Sequence, residues 1–231
     1  TPARPYSGLT DAFLLKVRIS DQAAQWFTFL GGPGLDIPWG LAVKFDSIYV
    51  AGSSESTWGS PVSPHQGRED GFVARLFDGS GSLSANTFLG SAARDYAYDI
   101  QVAANSSTRL YVAGASTAAW GTGVLRPYTG GVDGFAAELD LGLNQTHITF
   151  LGGPDFDRAV ALGQNFDRLF VAGESRASWS ESDCAGCPLR PYSGFSDGFL
   201  TRLPTNVADL VVAKTDNRAQ IFAGETIQYE I

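Results

Sequence analysis

The sequence predicts an all-β protein built as a propeller-like array of four-stranded antiparallel blades, and three observations carry that expectation. The first is a tandem repeat of 59 to 64 residues: Asp11-Ala12-Phe13 returns as Asp-Gly-Phe at 70–72, 133–135 and 197–199. Leu30-Gly31-Gly32 returns at 89–91 and 151–153, and Tyr49-Val50-Ala51-Gly52 returns at 111–114 and 170–173. One unit copied in series must bury its apolar face against its neighbours. The second is alternation: Phe13, Leu15 and Val17 fall on one face, with Leu14, Lys16 and Arg18 on the other. Phe72/Ala74/Leu76, Phe135/Ala137/Leu139 and Phe199/Thr201/Leu203 repeat the pattern, and a period of two belongs to a strand. The third is a long polar connection after each Val-Ala-Gly, spanning 18, 19 and 24 residues to the next Asp.

Each element of the first unit follows from its composition. After the alternating strand at 11–19 come 25–30, 41–45 and 48–53, short runs rich in β-branched and aromatic residues. Four such strands joined by tight links make one meander. The expected units are 11–53, 70–115 and 133–174, with an extra strand at 197–203, thirteen strands in all. The long connections are expected to carry the chain from one sheet to the next. Four-stranded units repeated radially are propeller blades, and ~4–8 of them normally close a ring. Three and a quarter units do not close one, so further blades or neighbouring molecules are expected to complete the structure. A β-solenoid is the rival, with coils usually shorter than ~30 residues and no long loop per four strands.

Bulk composition narrows the function. A chain of 231 residues that is 44% hydrophobic can bury a sizeable core. With 27 glycines, 11 prolines and 17% charged residues, turns are frequent and long helices are not expected. A net charge of −8 argues against nucleic acid, which calls for a basic surface. No apolar run approaches the ~20 residues of a membrane-spanning helix, so membrane insertion is not expected. The opening Thr1-Pro2-Ala3-Arg4, without methionine, reads as a processed or excised end.

The string Asp-[Gly/Ala]-Phe-x-x-[Arg/Lys]-[Leu/Val], Leu-Gly-Gly-x-x-x-Asp and [Tyr/Phe]-Val-Ala-Gly resembles the bacterial SBBP β-propeller repeat family over about 4–203. The resemblance implies part of a large secreted or surface-anchored protein with no assigned activity. The second copy departs from the pattern at Ser91 and in a longer hairpin at 103–107. The tail, 208–216 and 223–231, is similar to the opening of DUF11 repeats, immunoglobulin-like domains of bacterial surface proteins. The chain therefore divides into a repeat region, 1–206, and a short C-terminal β segment, 207–231, read as the start of such a domain or as a donated tail.

Several residues invite chemistry. Asp36, Asp95 and Asp157 recur six residues after the Leu of Leu-Gly-[Gly/Ser], with Asp155 and Asp99 nearby. Calcium is one reading of these carboxylates. The preferred one is that each accepts backbone N–H groups in its own turn, because one carboxylate per loop falls short of the ~6–8 oxygens calcium takes. Asp11, Asp70, Asp133 and Asp197 are read as structural on the same ground. Cys184 and Cys187 lack the partners of a zinc site and the helical context of a redox pair, so a local disulfide is expected. Trp58, Trp120 and Trp179 each lie six residues after the glycine, and repetition assigns them to packing between blades rather than to stacking on sugars. Asn105 and Asn144 begin glycosylation sequons. No Ser/His/Asp arrangement, nucleophile elbow, phosphate loop or His-Glu-x-x-His is present in the sequence.

The expectation is a non-catalytic structural or interaction module, extracellular or on the bacterial surface, that needs no cofactor. Self-assembly into a filament or array by strand addition is the leading role. Adhesion to glycan or protein through propeller loops is the alternative, and a glycan-active enzyme on the same scaffold is the alternative from another class.

Overall fold

A computed structural model describes residues 1–103, 108–165, 168–179 and 192–204. Fourteen strands and no helix occur among these residues. They are β1 (Ala12–Val17), β2 (Ala24–Leu30), β3 (Asp36–Lys44), β4 (Ser47–Ser54), β5 (Asp70–Phe77), β6 (Leu83–Leu89), β7 (Asp95–Val102) and β8 (Arg109–Ser116), then β9 (Val124–Arg126), β10 (Asp133–Asp140), β11 (Gln145–Leu151), β12 (Asp157–Asn165), β13 (Arg168–Ser175) and β14 (Asp197–Pro204). Four sheets result: I (β1-β2), II (β3-β4-β5-β6), III (β7-β8-β10-β11-β9) and IV (β12-β13-β14). Every pairing is antiparallel except that of β9 with β11.

The repeat predicted from the sequence is present, but the sheets are out of phase with it. The expected units 11–53, 70–115 and 133–174 would each be one sheet. Instead the chain leaves sheet I after Leu30 and enters sheet II at Asp36, crossing through the short Leu-Gly-Gly link. The long connection stays within one sheet, because β4 and β5 are hydrogen-bonded neighbours from Ser54↔Asp70 to Ser47↔Phe77. It detours to the outermost strand before returning. Val62 donates to the Asn86 carbonyl at 2.8 Å, and Phe88 donates to the Ser63 carbonyl at 3.0 Å. In sheet III the same detour is long enough to count as β9, the strand the sequence reading missed. At β2 the equivalent cover is Ala3, donating to the Phe27 carbonyl at 2.9 Å, and Arg4, whose carbonyl accepts from Phe29 at 3.2 Å.

Tight turns follow a common design. The hairpins β1–β2, β5–β6 and β10–β11 each carry a register shift near the turn, and a left-handed residue in the turn, Gln22, Gly81 and Leu143 respectively. Glycine takes that conformation without strain. Leu143 takes it at φ 67° while its side chain is wholly buried, so core packing offsets the backbone cost.

The sheets pack face to face through shared cores. Phe72, Ala74 and Leu76 of sheet II meet Ala12 and Leu30 of sheet I, with Ile48 and Val50 beside them. The opposite face of sheet II, Tyr49, Ala51 and Val73, meets Phe135, Ala137 and Leu139 of sheet III. Ala136 then faces Ala159 and Leu162 of sheet IV. Parallel bridges stitch the sheets at one end, Thr10↔Leu35, Glu69↔Arg94 and Val132↔Phe156. There the Asp36, Asp95 and Asp157 amides donate to the Thr10, Glu69 and Val132 carbonyls at 2.7, 2.7 and 2.6 Å.

Candidate functional site

The aspartates weighed for calcium open β3, β7 and β12, where the chain crosses between sheets. Asp36, Asp95 and Asp157 are fully buried. One oxygen of each accepts the amide four residues back: Gly32 at 2.9 Å, Ser91 at 2.8 Å and Gly153 at 2.8 Å. The other oxygen faces a serine or tryptophan. Ser54 Oγ donates to Asp36 at 2.5 Å, Ser116 Oγ donates to Asp95, and Trp179 Nε1 donates to Asp157 at 3.2 Å. Oxygens occupied by N–H and O–H donors in a closed turn serve as local caps. Asp155 is exposed, and its backbone carbonyl accepts from Val132. Among the described residues no group of three or more His, Cys, Asp or Glu side chains is arranged to hold a metal ion.

Burial pushes the Asp36 and Asp95 carboxyls above the usual range, despite the lowering by their donors. Asp70 and Asp133 are raised by burial as well. They form a second row of caps together with Asp11 and Asp197. Asp11, Asp133 and Asp197 accept from the Ser7, Thr129 and Ser193 amides at 2.9, 2.7 and 2.5 Å. In the degenerate copy Gln66 takes that place, donating to Asp70 at 2.7 Å.

The tryptophans sit on their own sheets' phenylalanines. Trp58 meets Phe72 and Phe88 edge-on at 5.2 and 5.8 Å, Trp120 meets Phe135 at 5.1 Å, and Trp179 meets Phe199 at 4.7 Å. Trp58 is buried, with residues of sheets I and II around it. The preceding sheet reaches over with an arginine. Arg4 lies 5.1 Å above Trp58 and donates to the Gly31 carbonyl, while Arg126 lies 5.5 Å above Trp179 and donates to the Gly152 carbonyl. These are the arginines of Arg-Pro-Tyr. Ser63 stands at this position in the second copy, and there Trp120 lacks both the arginine and a partner for its Nε1. The serines were missed in the sequence, although Ser54, Ser116 and Ser175 each follow the repeated glycine by two residues. Cys184, Cys187 and Asn105 lie outside the described residues, as does the tail from 205 onward. Asn144 is exposed in the β10–β11 turn.

The surfaces that break the repeat are the two end faces. Phe72 and Phe135 are 0% exposed, whereas Phe13, the equivalent residue of sheet I, is 66% exposed. Val73 is 0% exposed, and Leu200, its equivalent in sheet IV, is 72% exposed. Leu15 and Val17 extend the apolar surface along β1 beside Phe13. No protein-family model matches the chain, and a search of the curated proteins finds no relative. Among the described residues, no equivalents of β3 and β4 stand beside β1, and Leu41 and Val43 are exposed. Among the described residues, sheet IV lacks an equivalent of β6 beside β14.

Proposed function

We propose that the chain is a non-catalytic structural and interaction module of a secreted or cell-surface bacterial protein, a propeller-like array of four-stranded blades that associates head to tail. The observation that carries this reading is the contrast in exposure at one repeated strand position. Phe13 and Leu200 each present half of the contact that Phe135 and Val73 make between sheets III and II, where both residues are wholly buried. A second copy supplies the missing halves, its sheet IV face meeting the sheet I face. Such a contact is heterologous and generates a ring or a filament. Polar groups follow the same logic. Lys16 Nζ reaches the Asp78 carboxylate at 2.5 Å, and Arg75 donates to the Leu141 carbonyl at 2.7 Å, each on the next sheet. Arg202, the same position in sheet IV, is exposed, and in the proposed contact it is placed to reach the Ile19 carbonyl of the next copy. The resemblance to SBBP and DUF11 repeats supports the surface location. The buried, donor-saturated aspartates support a scaffold role without calcium.

Sedimentation velocity across a wide concentration range tests the association. The wild-type chain is expected to grow in mass with concentration, while Phe13→Glu and Leu200→Glu each remain monomeric with unchanged circular dichroism. An equimolar mixture of the two variants is expected to stop at a dimer, since one intact face of each kind survives. A wild-type chain that stays monomeric at high concentration overturns the proposal.

A further inference from the structure

The first strands of sheets II, III and IV each carry a β-bulge at the same register, and the residue it displaces differs from copy to copy. The pairing of β3 with β4 skips Trp39, that of β7 with β8 skips Tyr98, and that of β12 with β13 skips Val160. Bulges re-aim a side chain and recur beside functional sites. Here they bring aromatic rings together. A Cβ on Gly40 would stand 2.9 Å from the Asp99 Cα, so β3 and β7 run nearly in backbone contact at their bulges. Trp39 meets Tyr98 edge-on at 5.8 Å, and Tyr98 lies parallel to Tyr96 at 5.9 Å. Trp39 is 54% exposed. That exposure does not simply reflect an absent sheet: Val160 is 41% exposed at the same register with sheet III in front of it.

We propose that Trp39, Tyr98 and Tyr96 form a platform for the ring faces of a neutral oligosaccharide. A pyranose offers an apolar C–H face and a rim of hydroxyls, and the site is split the same way. The parallel phenol rings and the indole standing nearly perpendicular to them supply an apolar corner, and their polar tips supply the edge. The Trp39 indole N–H has no protein partner among the described residues. Arg158 lies beside the Tyr98 hydroxyl and is itself held by Glu174 at 2.7 Å, while Glu69 lies beside the Tyr96 hydroxyl. Further along the same two strands lies a groove of about 460 Å³ between 41–44 and 100–103. That volume falls within the range of small-ligand sites, about 300–1,000 Å³. A net charge of −8 disfavours acidic polysaccharides, and the charged fringe of Glu69, Arg158 and Glu174 disfavours an apolar peptide. The inference is independent of head-to-tail association.

The test uses neutral hexasaccharides of β-linked glucose, N-acetylglucosamine, mannose or xylose, added singly to the full chain at protein concentrations where it is monomeric. At least one is expected to shield tryptophan fluorescence from iodide and to release heat on titration. Trp39→Ala is expected to weaken that binding about tenfold, the loss of roughly one aromatic contact. Tyr98→Ala should weaken it as well, with Trp179→Phe as a control that leaves it intact. Three results overturn the proposal: no binding by any of the four sugars, binding that Trp39→Ala does not weaken, or loss of self-association in Trp39→Ala, which would place the platform within the subunit contact.

Discussion

Replacing Gly114 by alanine is expected to cost about 3 kcal/mol or more of stability, the upper end of what overpacking a core does. Gly114 sits in β8, between β7 and β10 of sheet III. A methyl group there would overlap the Tyr96 carbonyl oxygen on β7 and stand 2.6 Å from Phe135 Cε1 on β10. Neither can withdraw: the carbonyl belongs to a sheet backbone, and Phe135 is fully enclosed between sheets II and III. Gly52 and Gly173 repeat the arrangement, with the Ile37 and Arg158 carbonyls and the rings of Phe72 and Phe199 in the same places. The glycine of every Val-Ala-Gly is therefore a matter of space, since none of the three adopts a left-handed conformation. Gly163→Ala is the control: the nearest atom to its Cβ would be Phe170 Cβ at 4.0 Å, an ordinary contact. Urea denaturation followed by tryptophan fluorescence should show a large fall in midpoint for Gly114→Ala and little change for Gly163→Ala. Equal midpoints would refute the steric account.

Asp95→Ala is expected to be of similar size, about 3 kcal/mol, because it strands buried donors rather than filling space. The Ser91 amide and the Ser116 hydroxyl both point at the Asp95 carboxylate, and alanine offers neither an acceptor. Asp95→Asn keeps one acceptor oxygen and should cost clearly less. The two variants also separate by pH. Burial raises the Asp95 carboxyl in the folded state, so the folded chain binds its proton more readily than the unfolded chain does. Stability from this group is full below the ordinary carboxylate range and is lost as pH rises through the raised folded value. Asp36, Asp70 and Asp133 shift in the same direction. Thermal midpoints should therefore climb as pH falls from neutral toward the usual carboxylate range, and Asp95→Asn should flatten that climb. A midpoint that falls steadily over the same interval would contradict the assignment.

Much of this fold was legible because its signals are local. Strand alternation around Phe13, Phe72, Phe135 and Phe199, the repeated glycines and the capping aspartates each depend on a few adjacent residues. Sheet phase was not legible, because a period gives the length of a unit and not where it is cut. The 18-residue connection after Gly52 looked like the crossing between sheets, while the real crossing is the compact link from Leu30 to Asp36. Distinguishing them needs the pairing of β4 with β5, a non-local fact. The bulges were hidden for a related reason. Trp39, Tyr98 and Val160 share a register but not a residue type, so no motif marks them. The end faces were invisible for the opposite reason, since Phe13 and Leu200 look like their buried counterparts until their surroundings are known.

The returning connections have a further consequence. Arg4, Ser63 and β9 lie along β2, β6 and β11, so the outer margins of sheets I, II and III are partly occupied by the chain's own connections, which hinders lateral pairing there. In the language of polymers, the head-to-tail association proposed above would make the molecule a bifunctional monomer, with sheets I, II and III adding no lateral branch point. Its chains would lengthen or cyclise but not crosslink, and a variant disabled at one terminus would act as a stopper that sets their length.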